Sequence, residues 1–179
     1  MARNNHMNNK FLAVAEFDVT KMTLQSDDST AGWDGSVLPV GSYSATNGKC
    51  VIPDGALMTK AYYVVHTTFS DDDATENAEI ELGYTGTTDA FVLEFDIQTS
   101  DADTGIDIWD AGAHGTKVGF PNMGADGAHD SQAEHAALVA ATWVKLTADK
   151  ELLMTVTDDQ LDAGFMTLYV EYVLTGDLS

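Results

Sequence analysis

Basic residues are scarce in this sequence, where 8 Lys and Arg stand against 29 Asp and Glu and give a formal net charge of −21. Proteins that bind nucleic acid or dock on anionic membranes need a basic surface, because both partners carry dense negative charge. We therefore expect no nucleic acid and no membrane among the partners of this protein. An acidic surface keeps a protein soluble and can complement a basic partner.

Cysteine and long apolar runs are also scarce. Cys50 is the one cysteine, which excludes a disulfide within the chain and predicts a small buried or edge residue. No apolar run approaches the ~20 residues that span a bilayer. The polar start MARNNHMNNK lacks the apolar core of a secretory signal. We expect the protein to be made in the cytoplasm, to stay soluble, and to leave the cell only within a larger particle.

Motifs of enzyme chemistry are missing. The sequence has no HExxH and no nucleophile elbow, and Gly48-Lys49 lacks the earlier glycine and the hydroxyl residue of a phosphate loop. Acidic residues are so abundant that no glycosidase pair stands out, and none has the apolar context that raises a carboxyl pKa. The sequence predicts no enzyme, no catalytic residue and no cofactor.

Metal-site patterns are incomplete. His129 and His135, with Asp130, lie on a Gly- and Ala-rich stretch at an unspecific spacing. The run from Asp101 to Asp107 resembles the start of a calcium loop, but Gly105 stands where an oxygen ligand is required. No metal site is predicted, and loose calcium binding by the Asp-rich loops, including 71–73, stays open.

The stretch from Leu57 to Tyr84 has the strongest strand signal. Residues 62–69 are dense in aromatic and β-branched residues, which suit a pleated, partly buried surface. Apolar positions then alternate with Glu79 and Glu81, the pattern of a strand with one wet face. We predict an antiparallel pair, joined by an exposed loop at 70–77, at the middle of the fold. Its predicted core residues are Tyr63, Val65, Ile80 and Leu82.

Short strand signals recur along the rest of the chain, separated by Gly, Asp and Pro turns. Pro39 predicts an edge strand at 37–43. Residues 99–132 are predicted to form a long irregular loop, and 133–141 fit a helix by alanine content although 138–146 also fit a strand. The fold class is all-β: an antiparallel β-sandwich, jelly-roll-like. The domains are a polar N-terminal arm at 1–10 and one sandwich domain at 11–179.

Four residues are candidates for contacts with another subunit. Arg3 and Lys10 are basic residues at the two ends of a polar, Asn-rich terminus, which either solubilises the chain or lies on a neighbouring subunit. Trp33 and Trp109 lie in predicted loops, and aromatic residues are enriched at interfaces. Trp143, in a strand-like run, is predicted to be core.

Several short strings occur in order between about residues 37 and 174, and none carries a catalytic group. The strings are Pro53-Asp-Gly-Ala56, Lys60-Ala-Tyr-Tyr63, Thr67-Thr-Phe69, Ala78-Glu-Ile-Glu-Leu-Gly83, Trp109-Asp-Ala-Gly112 with His114, and Leu168-Tyr-Val-Glu-Tyr-Val173. Together they resemble a family of small virion proteins from tailed bacteriophages. The acidic loops of this chain are longer than those of the family pattern.

The resemblance implies a non-enzymatic structural protein of the virion. Within that class it implies a capsid decoration (cement) protein that binds the major capsid protein on the outside of the shell and stabilises it. It also implies a homo-oligomer, with a trimer favoured over a dimer. One alternative is a tail or fibre component, including a receptor-binding module. Another is a carbohydrate-binding domain.

Overall fold

β-Strands account for nearly all of the regular structure in this chain. The computed structural model describes residues 10–22, 38, 40–71, 78–97, 109, 111, 114–118 and 144–174. Its strands are β1 (Lys10–Asp18), β2 (Gly41–Ser44), β3 (Val51–Ile52), β4 (Ala56–Asp71), β5 (Glu79–Tyr84), β6 (Thr87–Asp96), β7 (His114–Val118), β8 (Val144–Lys145), β9 (Lys150–Thr157) and β10 (Leu161–Leu174). A 3₁₀ turn, Val19–Lys21, follows β1. Within these ranges no helix is long and apolar enough to cross a membrane.

The strands form two antiparallel sheets. The first sheet has the order β1-β10-β4-β7, with β8 also beside β4, and the second has the order β2-β9-β5-β6, with β3 also beside β9. The chain alternates between the sheets, because β1 lies in the first, β2 and β3 in the second, β4 in the first, and β5 and β6 in the second. The predicted all-β antiparallel sandwich is confirmed, and its jelly-roll-like topology stays a prediction.

The core lies between the inner faces of the two sheets. Strand residues alternate between faces, so β10 buries Met166, Leu168 and Val170 while the residues between them face outward. On the second sheet β9 buries Leu152, Met154 and Val156 in the same way. All belong to one apolar cluster, and each large side chain removed from water contributes about 1.5–3 kcal/mol. The predicted core residues Tyr63, Val65, Ile80 and Leu82 are all buried, as predicted.

The predicted antiparallel pair within 57–84 is wrong. Its two strands exist as β4 and β5, but β4 pairs with β10, β7 and β8, whereas β5 pairs with β6 and β9. The chain passes from one sheet to the other between them. The exposed loop predicted at 70–77 is also wrong at its start, because β4 continues to Asp71, which is 6% exposed. Its Oδ2 accepts a hydrogen bond from Ala78 N at 3.4 Å.

The long irregular loop predicted at 99–132 contains a strand. Strand β7 pairs with β4 from Lys60↔Val118 to Val64↔His114. Trp109, in the same stretch, is anchored in the core. The predicted edge strand at 37–43 is confirmed by β2, which pairs with β9 at one side of the second sheet. The predicted helix at 133–141 and Trp143 lie outside the described residues.

Candidate interaction surfaces

The outer face of the first sheet carries several apolar and aromatic side chains. We call it the aromatic face. It is formed by alternate residues of three neighbouring strands: Lys10, Leu12, Val14 and Glu16 of β1; Phe165, Thr167, Tyr169, Glu171 and Val173 of β10; and Lys60, Tyr62, Val64 and His66 of β4. Leu12 is 50% exposed and Tyr62, Val64 and Tyr169 are partly exposed. A face in contact with water alone is usually polar at most of these positions.

Ring contacts order the aromatic face. Tyr62 and Tyr169 are directly opposite in the register, and their rings stack with centroids 4.7 Å apart and planes at 10°. His66 and Phe165 also have centroids 4.7 Å apart, and His66 Nε2 is 2.9 Å from Thr167 Oγ1. Such cross-strand aromatic pairs contribute roughly 0.5–1.5 kcal/mol. The rings on this face therefore pack against one another across neighbouring strands.

Charges lie on both sides of the aromatic centre of this face. At one end the Lys60 ammonium lies 5.0 Å from the centre of the Tyr62 ring, and Lys10 Nζ is 4.0 Å from Glu171 Oε2. At the other end β1 places Glu16 on the same face, and then Asp18, whose carboxylate binds the Lys21 ammonium. One end thus carries Lys10 and Lys60 around Glu171. The other end carries Glu16 and also Asp18, which already forms an ion pair with Lys21.

The outer face of the second sheet has a different composition. We call it the hydroxyl face. Its members are Ser42 and Ser44 of β2, Glu151, Leu153, Thr155 and Thr157 of β9, and Glu79 and Glu81 of β5. Ser42 Oγ lies 2.9 Å from Thr155 Oγ1, Ser44 Oγ donates to the Glu151 carboxylate, and Lys49 Nζ lies 3.3 Å from Glu151 Oε2. These polar groups bond to one another and suit contact with water.

The free edge of β1 is partly covered by the turn after β2. Asn47 Oδ1 accepts from Glu16 N at 3.2 Å, and its Nδ2 donates to Val14 O at 3.1 Å. Thr46 N donates to Glu16 O at 2.7 Å. The Asn47 amide therefore takes the place of a neighbouring strand, which is one way that proteins protect an edge from pairing with another chain.

Cys50 lies behind this same edge, which agrees with its predicted place as a small buried or edge residue. It is partly buried and packs against the core. Burial raises the pKa of the thiol, and the nearby Glu151 carboxylate adds to the rise, although the Val14 N–H donates to the sulfur and opposes it. A high pKa suppresses the thiolate, the reactive form of cysteine.

The structure describes two of the four predicted contact residues. The Lys10 side chain is 71% exposed and lies on the aromatic face. Trp109 is fully buried, with ring centroids 5.6 Å from Tyr63 and 5.8 Å from Phe69, and its carbonyl accepts from Phe69 N at 3.1 Å. In the isolated chain the indole is a core residue, so its contact with a partner stays a prediction. Arg3 and Trp33 lie outside the described residues.

No metal site is formed by the described residues, since no three His, Cys, Asp or Glu side chains among them are grouped to hold an ion. The candidate ligands at 101–107, Asp72, Asp73, and the His129 and His135 pair lie outside the described ranges. Loose calcium binding by the Asp-rich loops, which was not predicted, stays open there.

The tyrosines of the aromatic face were missed in the sequence analysis. Their signal is a run that is apolar in both phases, Tyr62-Tyr63-Val64-Val65, matched by Leu168-Tyr169-Val170. A strand buries one phase only unless both of its faces are covered. Such runs therefore predict that the side chains on the outward face of the strand are covered by another surface.

Comparisons with known proteins give a likeness of fold. No protein-family model and no curated protein matches the sequence. Among solved structures, a chain of the "acidic stable capsid structure" of Helicobacter pylori bacteriophage KHP30 is similar over 93% of this chain and 89% of that one, with 18% identity and a TM-score of 0.50. A chain of the cyanophage Pam1 capsid asymmetric unit is similar over 97% and 92%, with 13% identity and a TM-score of 0.51. Both likenesses extend over almost the whole of each chain.

Proposed function

We propose that this chain is a non-enzymatic structural protein of a bacteriophage virion, and more specifically a decoration protein on the outside of the capsid. The observation that carries the proposal is the whole-chain likeness of fold to chains of two phage capsid structures. A fold alone does not determine a function. The sequence resemblance to small virion proteins supports the same assignment independently.

The two outer faces support a role in binding. A protein that is attached to a shell needs one surface for protein contacts and another that stays in water. The aromatic face has the rings, aliphatic side chains and paired charges typical of protein interfaces. The hydroxyl face has the polar groups of a solvated surface. An oligomer that holds several copies together would bind several sites on the shell at once, so that weak contacts of single copies add up to firm attachment.

Reconstitution on undecorated capsids tests the proposal. We expect the purified chain to bind such capsids, and to raise the temperature at which packaged DNA is released, measured with a DNA-binding dye. The control is an unrelated acidic β-protein of similar size and charge. Failure of the chain to bind capsids would contradict the assignment.

Labelling of intact virions distinguishes the head from the tail. An antibody against this chain is expected to label the whole head. Labelling at one pole would replace the proposal with the tail or fibre alternative. Binding on a glycan array without any labelling of virions would support the carbohydrate-binding alternative.

A further inference from the structure

We infer that the aromatic face binds the aromatic face of a second copy of this chain, about a twofold axis parallel to the row Ala13–Val170–Ala61. These three residues are register partners on adjacent strands, β1, β10 and β4. The inference concerns the chain by itself. In such a pair the aromatic face contacts the second copy, so attachment to a capsid would use other surfaces of the pair. Failure of the dimer leaves the proposed function standing.

The face is self-complementary about that row. On one side the register aligns Leu12, Glu171 and Lys60, and on the other it aligns Val14, Tyr169 and Tyr62. The second copy is generated by a twofold rotation about an axis along this row. Residues on one side of the row in one copy then face residues on the other side of the row in the second copy. Leu12 then meets Val14, the Glu171 carboxylate meets the Tyr169 hydroxyl, and the Lys60 ammonium meets the Tyr62 ring.

The next positions outward are complementary as well. Lys10 and Glu16 lie at equal distances from Ala13 along β1, three residues on either side. The rotation therefore places the Lys10 of each copy over the Glu16 of the other. Strand β1 presents a basic residue, two aliphatic residues and an acidic residue, and this series pairs with itself when it is reversed. An isologous dimer interface requires such self-complementarity.

Face-to-face packing accommodates these pairs. Two sheets pack about 10 Å apart with their strands within roughly 30° of each other, and side chains from the two faces interdigitate. When the strands of the two sheets cross at this angle, the pairs nearest the axis remain in contact. The outer Lys10–Glu16 pair has long, flexible side chains that follow the displacement. A contact of one face with itself closes at two copies, so it forms a dimer and not the trimer favoured in the sequence analysis.

Other self-contacts are less favourable. Addition of a second copy along the edge of β1 is hindered at Val14 and Glu16, where Thr46 and Asn47 already hold the backbone groups. The charged strand residues of the hydroxyl face are Glu79, Glu81 and Glu151, so pairing of that face with itself would bring acidic side chains together. The strand residues of the aromatic face carry charges of both signs.

The contact is expected to be weak. Three strands about 4.8 Å apart, followed for about 20 Å, give roughly 300 Å² per copy, compared with about 800 Å² per partner in stable complexes. The net charge of −21 on each copy also repels the other. Association should therefore tighten as salt increases, because screening weakens this general repulsion.

Sedimentation equilibrium of the full chain tests the contact. We expect a monomer–dimer equilibrium at protein concentrations up to millimolar. Leu12→Glu should weaken the dimer tenfold or more, because it places a charge against the aliphatic Val14 of the second copy. The matched control is Val51→Glu, which changes an equally exposed aliphatic residue on a strand of the second sheet. It should leave the dimer unchanged.

Charge reversal tests the orientation. Lys10→Glu and Glu16→Lys should each weaken the dimer, and the double variant should restore it, because each copy then presents the reversed pair. Glu16→Lys is decisive alone, since it lowers the net negative charge and would strengthen a contact governed by general repulsion. Lys49→Glu, which changes the charge as Lys10→Glu does but lies away from the face, is the matched control.

Three outcomes would overturn the inference. The first is a chain that remains monomeric at the highest concentration. The second is a dimer that Val51→Glu weakens as much as Leu12→Glu. The third is a double reversal that does not restore association. If Leu12→Glu abolishes binding to capsids in a chain that is monomeric, the face contacts the shell instead and the proposed function stands.

Discussion

Asp18 shows how a single side chain ends a strand in this protein. Its carboxylate accepts hydrogen bonds from Thr20 N at 3.2 Å and Thr20 Oγ1 at 2.6 Å, and it binds the Lys21 ammonium. Burial by itself would raise the pKa of this carboxyl, but the hydrogen bonds and the ammonium charge outweigh it and lower the pKa below the usual 3.8. The ionised form is therefore the one that the fold stabilises.

Asp18→Asn should reduce the free energy of unfolding at neutral pH by roughly 0.5–1 kcal/mol, the usual contribution of such a cap and ion pair. The contribution of Asp18 is complete above its unfolded pKa and is lost as the pH falls through its lower folded pKa. The difference between the two proteins should thus shrink below about pH 4. Urea denaturation across this range measures it, and a constant difference would contradict the assignment.

Single residues also show what the sequence could reveal. The core positions Ile80 and Leu82 were predicted because their alternation with Glu79 and Glu81 marks them directly. Trp109 was predicted to lie in a loop because no periodic pattern surrounds it, yet Tyr63 and Phe69 of β4 enclose it. Those neighbours are about 40 residues away, so no local signal could identify the pocket. Tyr62 and Tyr169 did carry a signal, in runs that are apolar in both phases.

At the level of elements, the sequence predicted the strands better than their partners. The strands β4 and β5 were predicted within 57–84, because their composition and alternation are local properties. The pairing of β4 with β5 was wrong, since a pair of adjacent strands was assumed and the chain changes sheets between them. Partner choice depends on packing between distant segments, which a short window does not contain.

Gly164 is the point where β10 bends past β4. The register shifts on either side of it, its φ is +143°, and a Cβ there would lie 2.2 Å from Phe69 Cδ1. Gly164→Ala should destabilise the fold by about 2–4 kcal/mol through backbone strain and overpacking against the buried ring. Thermal unfolding followed by circular dichroism measures the loss.

Gly55→Ala provides the matched control for this substitution. Gly55 also has a positive φ, +76°, but a Cβ there meets no atom within 4 Å. The loss should be about 1 kcal/mol, which reflects the left-handed backbone alone. Equal losses at the two glycines would show that the Phe69 contact adds nothing.

On the scale of the whole molecule, charge sets the response to solvent. A net charge of −21 on 179 residues makes the folded chain repel itself. Screening reduces this repulsion, because the Debye length falls from about 10 Å at 0.1 M to about 3 Å at 1 M ionic strength. The stability of the fold should therefore depend on the ionic strength of the solution.

The midpoint temperature of unfolding should rise by several degrees between low salt and 0.5 M NaCl, in contrast to a protein held together by surface ion pairs. Calorimetry measures the rise, and KCl should match NaCl if screening is the cause. CaCl2 at the same ionic strength tests the Asp-rich loops, since an additional rise would indicate bound calcium. A midpoint that falls with NaCl would contradict the role of self-repulsion.

The position of β10 has a consequence for synthesis. This strand, Leu161–Leu174, lies between β1 and β4 and is the strand that joins them into one sheet. Until residues 161–174 have been made, β1 has no strand to pair with. Strand β4 likewise lacks its partner on the edge where β10 will pair. The first sheet therefore cannot form until β10 has been made. A product truncated before β10 would expose both strands to proteases, so only chains that include β10 would be available for assembly.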